Sequence, residues 1–336
     1  MSVLAKLHRR ILLAIIVGAL IYLGMSVYVD LDQMFDAFTS FDWRYLPLIF
    51  LMSFLNYSIR FFKWDFYLRQ IDVHLSRADS LRIYFSGYIM TVSPGRVGEV
   101  LKSYLLKKIH GTPISRSAPI VIAERYTDFI GMVVLAFIGV NAYRFGDESF
   151  RWKMMIMSFV LICVFLVLTG YRPLAKRVIR LAERLPLFSR FAMKIETAFD
   201  SIQTLVAPKS LLYGTVNSVV SWFCECIGFY LVLRGFGLTD NPSVNVMSTI
   251  FIYAFSTIIG AISMLPGGLG VVEGGLTGLL TVIKVPKNLA VAVTLIIRMA
   301  TMWFAVLIGI VVLSLNQNRF EGVEEYLDGK AEEEEL

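Results

Sequence analysis

Ser93-Pro94-Gly95-Arg96-Val97-Gly98-Glu99 and Leu265-Pro266-Gly267-Gly268-Leu269-Gly270-Val271-Val272-Glu273 both read Pro-Gly-x-x-Gly followed by a glutamate. Both sit in the middle of long apolar segments, about 80–106 and 246–283. Proline removes a backbone donor, and glycine reaches conformations that end a helix. A broken helix at membrane depth is tolerated only where protein or a polar cavity satisfies the freed backbone groups. The two segments are therefore predicted to be re-entrant helical hairpins, with Pro94, Gly95, Gly98, Pro266, Gly267, Gly268 and Gly270 making the breaks.

The rest of the chain supports a membrane setting. Of 336 residues, 57% are hydrophobic and 17% charged, against roughly 45–50% and about 25% in soluble domains. At about 20 apolar residues per crossing, six segments read as full spans: 11–29, 46–68, 118–143, 152–171, 211–233 and 289–315. The first follows a basic opening but is longer than the core of a signal peptide, and it is read as a retained span. The expected fold is an all-α integral membrane protein of six transmembrane helices and two hairpins.

Loop charges orient it. Lys6, Arg9 and Arg10 put the N-terminus in the cytoplasm by the positive-inside rule. The stretch 30–44 carries Asp30, Asp32, Asp36 and Asp42 against one Arg44 and reads as an outside loop. Lys63, Arg69, Arg77, Arg82, Lys102, Lys107, Lys108 and Arg116, and later Arg172 to Lys209, suit the inside. Both termini are then cytoplasmic, and the localisation expected is the plasma (cytoplasmic) membrane. Segment 172–209 has apolar stripes opposite basic residues and reads as an interfacial amphipathic linker. The tail 319–336, ending in four glutamates, reads as an acidic disordered end. The net charge of +6 belongs to span ends, so no nucleic-acid role is expected.

The two breaks belong to a repeat. Each hairpin begins with an Ile-Tyr pair (Ile83-Tyr84, Ile252-Tyr253), follows a span ending Phe-Tyr-Leu, and precedes a span holding an arginine, Arg125 or Arg298. Repeat 1 covers about 46–143 and repeat 2 about 211–315, within one domain, 1–318. Three spans separate the hairpins, so the copies face opposite sides, as in the inverted repeats of many secondary transporters.

Ionisable residues within spans are costly and mark functional sites. Here they are Arg60, Arg96, Glu99, Glu124, Arg125, Asp128, Glu225, Glu273 and Arg298, with Lys63 and Asp65 reading as span-end residues that reach the interface. Arginine presents a planar fork of donors suited to phosphate. Two roles are open to these groups: lining a path for an anionic headgroup, or pairing with each other to hold the hairpins. Glu99 and Glu273 stand where a carboxylate can accept from a helix's first N–H groups. There is no phosphate-binding loop, zinc-protease or serine-hydrolase motif, and Cys163, Cys224 and Cys226 lie in apolar runs. No metal, no cofactor and no enzymatic activity is expected.

Ser93 to Glu99, the Glu124-Arg125-x-x-Asp128 element and Leu265 to Gly274 together resemble the transmembrane domain of lysylphosphatidylglycerol synthase/flippase proteins, the flippase-like UPF0104 membrane family. The resemblance runs over roughly residues 8–318. It implies a lipid-translocator fold with Pro94, Gly95, Arg96, Gly98, Glu99, Glu124, Arg125, Asp128, Pro266, Gly267, Gly268, Gly270 and Glu273 as site residues. Arg60 and Arg298 join them on the charge argument. The bifunctional members carry a separate cytoplasmic domain that makes the lipid, and this chain is expected to be a stand-alone member. The function expected is translocation of an anionic phospholipid or lipid-linked headgroup, with membrane lipids as partners. The alternatives are secondary transport of a small soluble anion and an accessory role beside a lipid-modifying enzyme.

Overall fold

Asp30, with a φ of 83°, marks the first departure from expectation. The computed structural model describes residues 3–93, 98–142, 148, 152, 153, 156, 160 and 201–320. In it, α1 (Val3–Val29) ends at Asp30 and bends by 99° into a second helix, α2 (Leu31–Ser40). The outside loop expected at 30–44 is thus largely helical. Met34, Ala37, Phe38 and Phe41 recur at helical spacing, and the first three pack on Val291, Ala292 and Leu295. The exposed Asp32 and Asp36 take the other face.

The remaining elements follow the predicted order. They are α3 (Leu46–Gln70), α4 (Arg77–Gly87), α5 (Leu101–His110), α6 (Ile114–Ala142), α7 (Pro208–Gly235), α8 (Val246–Ile262), α9 (Val271–Val282), α10 (Lys287–Arg298) and α11 (Phe304–Leu315). Every regular element among the described residues is a helix. A π-helical turn, Met299–Trp303, joins α10 to α11.

Three stretches are long and apolar enough to cross a membrane: Trp43–Gln70, Pro208–Gly235 and Lys287–Leu315. The bent pair of α1 and α2 adds a fourth if taken as one span. These match four of the six expected spans. At the expected span 118–143 stands α6, which carries Glu124, Arg125 and Asp128 and is not among the three. The expected span 152–171, apart from isolated residues, lies outside the described residues. So do residues 172–200 of the expected linker and 321–336 of the tail.

Both Pro-Gly segments break their helices. In the second, α8 starts in a capping box, with Asn245 accepting from Met247 and Ser248 N–H groups. It ends before a short turn, Pro266–Gly268, in which Gly267, Gly268 and then Gly270 all have positive φ, a conformation that costs glycine nothing. The chain then returns. Gly260 faces Val272 and Gly275 faces Ser256, and at the base Asn241 Nδ2 donates to the Ile283 carbonyl (3.3 Å). α8 and α9 form an antiparallel hairpin. In the first segment, α4 runs through a turn at Tyr88–Met90 toward the break, and α5 packs back on α4. Residues 94–97 of this break lie outside the described residues.

Two large apolar clusters make up most of the interior. One, with Trp64, Tyr67, Ile83, Ile89 and Leu105, surrounds the first hairpin. The other, with Phe229, Phe251, Ile252, Leu276 and Ile297, surrounds the second. α3 and α7 join them and run antiparallel: Gly214 meets Tyr67, while Gly228 meets Met52. Two asparagines tie the pair reciprocally. Asn56 Nδ2 donates to the Ser221 carbonyl (2.8 Å), and Asn217 Nδ2 donates to the Ile59 carbonyl (2.9 Å). Gly309 of α11 lies against Ile89 of the first hairpin arm, and Gly139 of α6 against Phe251 of the second.

Candidate functional site

On α3, Arg60 and Lys63 stand three apart, so they share a face. On α6, Glu124 and Asp128 stand four apart, as do Ser218 and Trp222 on α7. Packing of α7 against both α3 and α6 directs all three faces at one point. There Asp128 accepts from Arg60 (2.8 Å), Lys63 (2.6 Å) and Ser218 (3.0 Å), and Arg125 lies 3.2 Å from the same carboxylate. Lys63 Nζ also donates to Ser218 Oγ (2.7 Å) and Thr127 Oγ1 (3.3 Å).

The first hairpin closes this network. Glu99 and Lys102 flank the start of α5. Lys102 Nζ donates to Glu124 (2.5 Å) and is 3.6 Å from Glu99, while Arg125 is 3.3 Å from Glu99. Lys102 also lies 4.8 Å from the Trp64 ring centre and 5.5 Å from that of Tyr84, and Arg60 lies 5.5 Å from that of Trp222. Aromatic faces are favourable neighbours for desolvated cations. A cavity of about 10 Å³, lined by Arg60, Tyr84, Tyr88, Glu99, Lys102 and Glu124, remains among them, about enough for one water. Among the described residues, the network sets four cations, Arg60, Lys63, Lys102 and Arg125, against three carboxylates, Glu99, Glu124 and Asp128. All but Arg125 are buried. The Nε groups of Arg60 and Arg125 are buried with no acceptor among the described residues.

The second hairpin has a smaller counterpart. Arg298 Nε donates to Glu273 Oε1 (2.6 Å), and its other arm donates to the Gly267 carbonyl (2.8 Å) in the break itself. The other oxygen of Glu273 accepts from Gly270 N–H (2.7 Å), which is the first-turn capping expected from sequence. Nearby, Tyr253 donates to Glu225 (2.6 Å). In both halves, the arginine of the span after the hairpin pairs with that hairpin's glutamate: Arg125 with Glu99, Arg298 with Glu273.

Arg60, Glu99, Glu124, Arg125 and Asp128 are therefore brought together, and Glu273 and Arg298 form a separate pair. Arg96, Pro94 and Gly95 lie outside the described residues. Gly98 N–H donates to Ser93 Oγ (2.9 Å). Two readings need correction. Lys63 does not reach the interface, because it is fully buried (0% exposed) and Asp128 and Ser218 hold it. Lys102 is not a loop charge, because it is buried between Glu124 and two rings. The signal was present in the three-residue spacings Arg60–Lys63 and Glu99–Lys102, each of which puts a lysine on an already charged face. Asp65 does stand at the surface end, paired with Arg69 (2.8 Å). No group of three His, Cys, Asp or Glu suited to a metal occurs among the described residues.

The chain resembles known proteins over most of its length. Two UPF0104 membrane proteins of Methanothermobacter thermautotrophicus are each 26% identical to it. The first matches over 92% of this chain and 94% of its own, and the second over 88% and 92%. One from Pyrococcus horikoshii is 22% identical over 91% of this chain and 97% of its own. The family model described as the lysylphosphatidylglycerol synthase TM region matches residues 11–309. The chain is thus a membrane protein that belongs to the lysylphosphatidylglycerol synthase transmembrane-region family.

Proposed function

We propose that this protein is a flippase of the cytoplasmic membrane that carries an anionic phospholipid or lipid-linked headgroup between leaflets. One observation carries the proposal: a buried network with one more cation than carboxylate among its described members. A net charge at membrane depth is costly, and a phosphate would balance it while accepting from the Arg60 and Arg125 Nε groups. With the cavity this small, the described conformation is a closed one. The carboxylates hold the cations in place until a headgroup displaces them.

The proposal includes the full topology. Six spans and two re-entrant hairpins form an inverted repeat within residues 1–318, with both termini cytoplasmic. The antiparallel packing of α3 on α7, the first helix of each repeat, supports inversion. So does the pairing of each hairpin's glutamate with the following arginine. Rocking one repeat against the other would alternate access to the network.

The test is purified protein in liposomes with headgroup-labelled anionic and zwitterionic lipids, read by leaflet accessibility. Anionic lipids should cross faster than in protein-free vesicles, and Arg60→Gln and Arg125→Gln should each slow them about tenfold or more. Transfer no faster than in empty vesicles for every anionic lipid sinks the proposal. Saturable uptake of a soluble anion instead would move the assignment to small-anion transport.

A further inference from the structure

A groove of about 450 Å³ runs between α1 and the α9–α10 pair, away from the ion network. Its size falls within the roughly 300–1,000 Å³ of small-molecule sites. Ile21 and Met25 form one wall, and Gly274, Gly278 and Thr281 of α9 the other. Glycine stripes usually let two helices touch, and Gly275 does so, since a Cβ there would lie 2.9 Å from Ser256 Oγ. Gly274 and Gly278 differ, because a Cβ on either would meet nothing within 4 Å. Their missing side chains leave open space rather than a helix contact.

The groove has the dimensions and polarity of one leaflet. α9 has 12 residues and so runs about 18 Å, against about 15 Å for half of the hydrocarbon core. Its inner end is Gly270 at the break. Its outer end is the exposed Lys287, beside the hairpin base closed by Asn241 and Ile283. An apolar channel that long, with one ammonium at its mouth, matches a lipid tail below a phosphate.

We propose that this groove seats one acyl chain of an anionic phospholipid, with its phosphate against Lys287. Moving a tail from bilayer to groove exchanges one apolar surroundings for another and gains little. Selectivity therefore comes from the shape of the glycine face and from the lysine charge. The seat does not depend on transport through the ion network.

The experiment uses the full chain in phosphatidylcholine vesicles containing phosphatidic acid with a diazirine in one tail. Irradiation should label α9 and the α1 peptide holding Ile21 and Met25. The double variant Gly274→Leu/Gly278→Leu fills the groove from two positions where a Cβ meets nothing within 4 Å, and labelling there should fall about tenfold. Labelling of the exposed α7 face at Leu212 and Val216 should stay constant. Lys287→Gln should lower labelling by the anionic probe about threefold and leave a diazirine phosphatidylcholine unaffected. Equal groove labelling in wild type and double variant overturns the proposal in favour of ordinary annular lipid. Disulfide-linked dimers through Gly278→Cys overturn it in favour of a second copy of the chain. Leaflet transfer measured on the same samples keeps the two proposals apart: intact labelling without transfer in wild type leaves the groove and sinks the flippase.

Discussion

Asp128 holds together more of the buried network than any other single residue described, since Arg60, Lys63 and Arg125 all rest on it. Removing one partner of a buried pair leaves the others uncompensated, at a cost of about 3–5 kcal/mol. Asp128→Asn should lower stability by that much, read as the unfolding midpoint in detergent; an unchanged midpoint would show the cations to be solvated. Lys102 and Glu124 give a sharper test. Lys102→Met and Glu124→Leu should each destabilise, but the double variant should recover part of the loss, with a coupling of about 0.5–3 kcal/mol in a double-mutant cycle. Strict additivity would mean that the two do not interact. At this scale the sequence was partly legible. Arginines and carboxylates stand out in apolar runs, and five of the candidate residues lie together in the structure. Lys63 and Lys102 were hidden because each lies near a cluster of basic residues that reads as loop charge. Spacing along the chain does not say whether a lysine stem points outward or inward.

Individual elements are held by caps and close approaches. α4 begins with Ser76, whose hydroxyl accepts from Asp79 N–H and donates to the Asp79 carboxylate, while Arg82 donates to the same carboxylate. These bonds, the Ser76 hydroxyl foremost and against the effect of burial, draw the Asp79 carboxyl below its usual 3.8. A lowered carboxyl stabilises the fold above its unfolded value, and this stability is lost as pH falls through the folded value. Asp79→Asn should therefore unfold earlier than wild type at neutral pH, with the difference closing below about pH 4. A gap that persists unchanged into acid would remove the charge from the account. Gly309 is a second such point, since a Cβ there would fall 2.2 Å from Ile89 N. Gly309→Leu should cost at least about 1–3 kcal/mol through overpacking, whereas Leu307, exposed nearby, should tolerate alanine. Helix positions were legible because apolar runs and Pro-Gly breaks are strong signals. α2 was not: four aspartates masked an apolar face that exists only because α10 lies beneath it.

For the whole molecule, the antiparallel α3–α7 pair makes a claim about sidedness. Cysteines at Ser76 and Ser243, one at the base of each hairpin, should react with an impermeant maleimide from opposite sides of oriented vesicles. Reaction from the same side would rule out inversion. The repeat was visible in the sequence as a shared order of motifs, but its asymmetry was not. Among the described residues, the first half gathers a network of seven charged groups, whereas in the second Arg298 pairs with Glu273 and latches a backbone carbonyl, because only the first has lysines at the turn-spaced positions. The π-helical turn at Met299–Trp303 sits between the two halves' demands on one long helix. Before it, Arg298 grips the second hairpin; after it, Gly309 receives the first. Tyr57 from α3 donates to the Thr301 carbonyl within the turn (2.5 Å). One residue more or fewer there turns everything downstream by about 100°. The turn therefore works as a phase setting between two gears: it fixes which hairpin position meets which, and a single deletion within it would leave both hairpins intact but out of mesh.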